Sequence, residues 1–151
     1  MELAKQVASL ESSKRLKELG AVQESLFYWQ HPWKDYCGNP PADLGFQVDK
    51  FILVDSSHMS FRAGPFSAFT CAELGEMLPY KIFKESWAYH LVMSKNNLQY
   101  SVAYQSFAAK DKHDSVKTEH VHWAEIEADT RARMLIYLIE NKLAGKESHE
   151  H

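Results

Sequence analysis

The chain contains little cysteine and no long apolar run. Its two cysteines, Cys37 and Cys71, form no CxxC pair, and disulfide-stabilised domains use more cysteine in a shorter chain. The longest apolar runs, FILV and MLIYLI, are far too short to cross a bilayer. The N-terminal stretch MELAKQVASLESSKRLKELG holds no apolar segment of signal-peptide length. We therefore expect a cytoplasmic protein, from a reducing compartment, that has no membrane partner.

The sequence also lacks an excess of positive charge. Lys and Arg total 17 against 20 Asp and Glu, which gives a formal net charge of -3 at pH 7. Nucleic-acid-binding domains usually carry a positive excess because they neutralise backbone phosphates, so we expect no nucleic-acid partner. The local basic residues Lys14, Arg15 and Lys17 are mixed with Glu11 and Glu18, which is typical of a solvated helix face.

Glycine and proline are few, at 6 and 5 residues, whereas aromatic residues make up 13% of the chain. Disordered chains are poor in aromatic residues, so we expect most of this chain to be ordered. A length of 151 residues is typical of one domain. We expect a single α+β domain over residues 1–146 and a polar C-terminal tail at 147–151.

Three segments carry the start, stop and spacing signals of helices: 9–19, 70–79 and 124–143. Ser9 can cap the first helix, and Gly20 can end it in the left-handed conformation. Thr70 and Glu73 have capping-box spacing at the start of the second helix. In the third segment, apolar residues recur at steps of three and four, which predicts a helix with one buried face.

Apolar and aromatic residues at strand spacing mark three further segments: 25–30, 46–55 and 86–105. The third is a predicted hairpin whose turn is supplied by Lys95, Asn96 and Asn97, since Asn tolerates the left-handed conformation. The second has apolar residues on both faces, which is typical of a strand covered on both sides. The order α-β-β-α-β-β-α predicts a mostly antiparallel sheet of about four strands with helices packed on one face.

The segment that most resembles a chemical site is HVHW, which begins at His120. On a strand, His120 and His122 would point the same way and bind one zinc ion, with His113 or a nearby acid as a further ligand. Alternatively, they are solvated histidines on a loop that follows the polar stretch 108–120, and Trp123 packs near the start of the last helix. Because no recognised zinc-site spacing occurs, we expect no cofactor, with zinc as the alternative.

Cys71 has two interpretations. It follows a predicted helix cap, and helix N-terminal amides lower the pKa of a thiol and make it more nucleophilic. It also lies on the apolar stripe of its helix, and free cysteine is commonly buried, so we expect core packing. No P-loop, GxGxxG or GxSxG motif accompanies it in the sequence.

A cluster of aromatic residues runs from the first predicted strand into a loop rich in proline and glycine. Its members are Tyr28, Trp29, Trp33 and Tyr36. An exposed aromatic patch marks a surface that binds a partner. We therefore predict that part of this cluster is exposed and binds a protein partner or a second copy of the chain.

Three segments together resemble a family of small uncharacterised bacterial proteins found in phages, prophages and mobile elements, including those of Bacteroides-like gut bacteria. The segments are SLESSKRLKELGAVQESLFYW, AFTCAELGEMLP and EADTRARMLIYLIENKL. The loops at 31–45, 56–66 and 106–122 do not carry the resemblance. The family has no assigned activity, so the resemblance implies no site residues, and HVHW lies outside the shared segments.

These observations favour a non-enzymatic accessory protein of phage or mobile-element origin that acts through protein–protein interaction. The alternative is a small metal-dependent hydrolase with its site at His120 and His122. A third hypothesis is a small-ligand site between the sheet and the irregular segment 56–69.

Overall fold

The computed structural model describes residues 2–30, 47–48, 51–57, 65–106 and 117–144. Its three α-helices are α1 (Leu10–Glu18), α2 (Cys71–Met77) and α3 (Glu127–Glu140). Its strands are β1 (Phe27–Gln30), β2 (Gln47–Val48), β3 (Phe51–Asp55), β4 (Phe66–Ser67), β5 (Lys81–Lys84), β6 (Trp87–Lys95), β7 (Tyr100–Ser106) and β8 (Lys117–Ala124). The predicted α+β class is confirmed. The predicted tail at 147–151 lies outside the described residues.

The strands form two antiparallel sheets, whereas the sequence predicted one sheet of about four strands. The first sheet has the order β2-β3-β1-β4, and the second has the order β5-β6-β7-β8. The predicted strand at 46–55 is two strands, β2 and β3, which pair with each other. The hairpin of β6 and β7 gains β5 and β8 as flanking strands, so it forms a sheet of its own.

Strand β8 occupies part of the stretch that the sequence predicted as a loop, and α3 accordingly begins at Glu127 rather than at 124. The composition of this stretch is polar because much of the strand faces water on an edge of the sheet. Pairing with β7 from Tyr100 to Ser106 determines its conformation. Tertiary pairing therefore overrides the local polar composition here.

The helix caps predicted from the sequence are confirmed. Ser9 caps α1 by accepting a hydrogen bond from the amide of Ser12, and Gly20 after the helix has φ of +84°. Thr70 and Glu73 form a capping box at the start of α2. The side chain of Glu73 additionally accepts a hydrogen bond from the amide of Leu26, which ties α2 to the start of the first sheet.

The main core lies between α3 and the inner face of the second sheet. Its buried residues include Ile82, Tyr89, Val102, Tyr104, Ala128, Ala132, Met134, Leu135 and Leu138. A second cluster joins α1 to the first sheet and contains Val7, Leu10, Trp29, Leu53 and Ala68. Ile52 and Val54 are also buried, which confirms that β3 is covered on both faces.

Among the described helices, none has both the length and the apolar composition needed to cross a membrane.

Candidate functional site on strand β8

An irregularity in the pairing of β8 positions the side chains of the candidate site. Between Thr118 and His120, β8 advances by two residues while β7 advances by one, so Glu119 is an extra residue in the strand. A bulge of this kind bends the strand and changes the direction of its side chains. As a result, Glu119 and His120 are adjacent in sequence, yet both contact Tyr137 of α3.

The imidazoles of His120 and His122 lie side by side on the inner face of β8. Their Nε2 atoms are 3.0 Å apart, and their ring centroids are 4.5 Å apart. His120 also stacks flat on the ring of Tyr137, with centroids 3.7 Å apart and an interplanar angle of 4°. The alternation of a strand therefore brings the two histidines together, as the first of the two interpretations of HVHW required.

Both imidazoles are favoured in their neutral form. Burial, the neighbouring His120 and the Arg133 cation lower the pKa of His122 to about 4. Burial also lowers the pKa of His120, although the carboxylate of Glu119 opposes this shift. Near pH 7 one ring can donate an N–H to the other, and the neutral form is also the form that binds metal ions.

The carboxylate of Glu119 is held by two donors. Tyr137 donates its hydroxyl to Oε1 of Glu119 over 2.8 Å, and Lys84 of β5 forms an ion pair with the same oxygen. Burial acts to raise the pKa of Glu119, but these two hydrogen bonds lower it overall. Glu119 is therefore a charged carboxylate that already accepts hydrogen bonds from Tyr137 and Lys84. It fixes the position of Tyr137 and is poorly suited to act as a general base.

The site offers a metal ion two nitrogen ligands. Within residues 2–30, 47–48, 51–57, 65–106 and 117–144, no group of three or more His, Cys, Asp or Glu side chains is placed to hold an ion. His113, the predicted further ligand, lies outside the described residues.

The opposite face of β8 is apolar and exposed. Val121 is 39% exposed and Trp123 is 48% exposed. The alternation of β8 places Trp123 on the face opposite His120 and His122, and its packing near the start of the last helix stays a prediction. Val121 and Trp123 lie beside Ala103 and Ser101 of β7, which are both buried, so the exposed apolar face is formed by β8 itself.

The predicted partner-binding cluster is corrected by the structure at two of its four residues. Tyr28 is 5% exposed and Trp29 is 2% exposed, so both belong to the interior. Strand β1 lies between β3 and β4, and the indole of Trp29 donates a hydrogen bond to the carbonyl of Ala8 over 3.0 Å. Trp33 and Tyr36 lie outside the described residues.

Cys71 is a half-buried free thiol at the first position of α2. Burial raises its pKa, and the nearby carboxylate of Glu127 raises it further, so the thiol is not activated. It lines an open cleft of about 630 Å³ together with Thr70, Tyr100 and Ile126.

The small-ligand site expected beside 56–69 includes residues 58–64, which lie outside the described part of the chain.

Comparisons of this chain with protein-family models, with curated proteins and with solved structures find no match. The resemblance to phage and mobile-element proteins therefore stays a prediction.

The sequence analysis identified His120 and His122 as candidate site residues, but it did not identify Lys84 and Tyr137, which complete their surroundings. The only sequence signal for Tyr137 was a hydroxyl within the apolar run MLIYLI.

Proposed function

We propose that this chain is a non-enzymatic accessory protein, of phage or mobile-element origin, that acts by protein–protein interaction through β8. The observation that carries the proposal is an edge strand with an exposed apolar face, formed by Val121 and Trp123. The phage or mobile-element origin rests on the sequence resemblance alone.

The edge of β8 is suited to strand addition. β8 pairs with β7 on one side, and no strand in the described ranges pairs with its other side. A sheet edge presents backbone N–H and C=O groups that pair readily with another strand. Charged residues often block such edges, but the charges of β8, Lys117 and Glu119, lie near its start. The stretch from His120 to Ala124 is uncharged at neutral pH when its imidazoles are neutral.

The partner that best fits this edge is a second copy of the chain. Antiparallel pairing of two β8 strands about Val121 brings Lys117 of each copy close to Glu125 of the other. Both side chains belong to exposed residues. A two-fold interface uses the same patch twice, so opposite charges at equal distances from its centre make the patch self-complementary. The same pairing joins the exposed faces of Val121 and Trp123 into one apolar surface.

The chemistry of the described residues favours binding over catalysis. Glu119 is occupied by Lys84 and Tyr137, and the pKa of the Cys71 thiol is raised. The alternative of a metal-dependent hydrolase needs, besides the two histidines that would hold the ion, a further side chain free to take a proton from water. At the histidine pair, the neighbouring carboxylate Glu119 already accepts two hydrogen bonds.

Sedimentation velocity over a range of concentrations tests the proposal. We expect a concentration-dependent dimer for the unmodified chain and a monomer for Val121→Lys, because lysine places a charge in the centre of the pairing edge. The matched control is Val22→Lys, an exposed valine outside the sheets, which we expect to leave the dimer unchanged. A chain that stays monomeric at every concentration, or an equal effect of both substitutions, would contradict the proposal.

A further inference from the structure

We propose that His120 and His122 form a two-imidazole binding site for a divalent transition-metal ion, with copper(II) or nickel(II) preferred over zinc. This inference does not depend on the pairing of β8 with a second chain. It follows from the spacing of the two nitrogens, the support behind the rings and the balance of charge around them.

The distance between the two nitrogens sets the preferred coordination angle. Metal–nitrogen bonds of about 2.0–2.1 Å separate two ligand atoms by about 2.9 Å at a right angle and by about 3.3 Å at the tetrahedral angle. The Nε2 atoms of His120 and His122 are 3.0 Å apart. This spacing matches adjacent positions in a square-planar or tetragonal shell, which copper(II) and nickel(II) adopt.

The surroundings hold the rings in place before an ion arrives. Tyr137 stacks on His120, and its hydroxyl is in turn fixed by Glu119, which Lys84 anchors. This stacking restricts the orientation of the His120 ring, so less ordering is needed when an ion binds. In this arrangement Tyr137 is a positioning residue, because it touches the ligand ring rather than the ion.

Both of the nearby cations have carboxylate partners. Lys84 is paired with Glu119, and Arg133 donates a hydrogen bond to Asp129 over 2.9 Å. A divalent cation therefore meets two neutral imidazoles rather than two uncompensated positive side chains.

Two protein ligands leave the other coordination positions to water or to an exchangeable oxygen or nitrogen donor. The site is thus an open one, unlike the closed shells that stabilise zinc-dependent folds. We expect the ion to bind the folded chain reversibly and to raise its stability with the logarithm of the ion concentration once that exceeds the dissociation constant.

The test uses the full-length chain with His149→Ala and His151→Ala, because the sequence HEH at its end can also bind metal ions. Copper(II) and nickel(II) are titrated in by calorimetry, first into this background and then into the same background carrying His120→Gln and His122→Gln. We expect one equivalent to bind in the background and at least a tenfold loss of affinity in the variant. His90→Gln is the matched control, since His90 is an exposed histidine on β6 of the same sheet, and we expect no change.

A second measurement needs no substitution at the site. In the chain that carries only His149→Ala and His151→Ala, substoichiometric copper(II) should broaden the imidazole NMR signals of His120 and His122 before those of His90. Equal broadening of all histidines, or binding that survives the double glutamine variant, would overturn the proposal. Repeating the titration with Val121→Lys, which we expect to be monomeric, separates metal binding from self-association. Unchanged affinity for the ion supports a site within one chain. Loss of binding contradicts such a site.

Discussion

Asp129 of α3 accepts a hydrogen bond from the hydroxyl of Ser9, the N-cap residue of α1, over 2.6 Å. The same carboxylate oxygen accepts a hydrogen bond from the hydroxyl of Ser12 over 2.7 Å, and Arg133 donates to the other oxygen. Asp129 is only 5% exposed. One carboxylate therefore fixes the start of α1 against α3, and with it the arrangement of the first sheet relative to the second.

Replacing this carboxylate should destabilise the whole fold. We expect Asp129→Ala to lower the free energy of unfolding by about 2–4 kcal/mol, because the two hydroxyls of Ser9 and Ser12 lose their acceptor. Urea denaturation measures the change. Glu11→Ala, an exposed acid in the first turn of α1, is the control and should change stability by about 0.5 kcal/mol or less. Equal effects of the two substitutions would remove the proposed role of Asp129.

The histidine pair should make stability depend on pH in a defined range. The pKa of His122 falls from 6.5 in its ordinary state to about 4 in the native chain. Between these two values the unfolded chain binds a proton that the native chain does not, so stability decreases as the pH is lowered from 6.5 to about 4. We expect His122→Gln to flatten the dependence of the melting temperature on pH in this range.

Asp129 should make the stability of the fold depend on pH in a more acidic range than His122 does. Burial acts to raise its pKa, but the hydrogen bonds from Ser9 and Ser12 lower it below the ordinary value of 3.8. Its stabilisation is therefore complete above that value and is lost as the pH falls through the native pKa. A His122→Gln variant should retain this acidic transition, which distinguishes the two groups.

Glu73 should contribute more stability than its position on the surface of a short helix indicates. It accepts hydrogen bonds from the amide of Thr70 and the amide of Leu26, so it serves both the capping box and the entry to β1. We expect Glu73→Ala to cost about 1–2 kcal/mol. Glu76→Ala on the same helix is the matched control, because Glu76 is exposed. Thermal denaturation that ranks the two variants equally would contradict this role.

Substitutions at two residues with positive φ should change the stability of the fold in opposite directions. Gly20 after α1 has φ of +84°, and Glu85 in the turn between β5 and β6 has φ of +55°. We expect Gly20→Ala to destabilise the fold by about 1 kcal/mol, and Glu85→Gly to stabilise it by about 0.5–1 kcal/mol. Chemical denaturation of the two single variants checks both signs.

Local signals in the sequence predicted local structure well. The caps at Ser9 and Thr70 depend on residues three positions apart, and the turn at Asn96 depends on its own side chain, which accepts hydrogen bonds from the amides of Leu98 and Gln99. Such contacts form within one turn of chain, so the sequence contains all the information they need.

Features that depend on distant partners were not predictable. Strand β8 is polar over much of its length and forms because β7 pairs with it, and Trp29 is buried because β3 and β4 flank its strand. The sequence did predict that His120 and His122 share a face if they lie on a strand. It gave no sign of the bulge at Glu119, because a bulge is defined by the register between two strands.

The central claim is that β8 pairs with β8 of a second copy, and amide hydrogen exchange tests it most directly. The backbone amides of Lys117–Ala124 are followed by NMR at low and at high protein concentration. Pairing predicts that the amides of β8 that point away from β7 exchange more slowly as the concentration rises, and that Val121→Lys abolishes the effect. Exchange rates that do not depend on concentration in the unmodified chain would contradict the account.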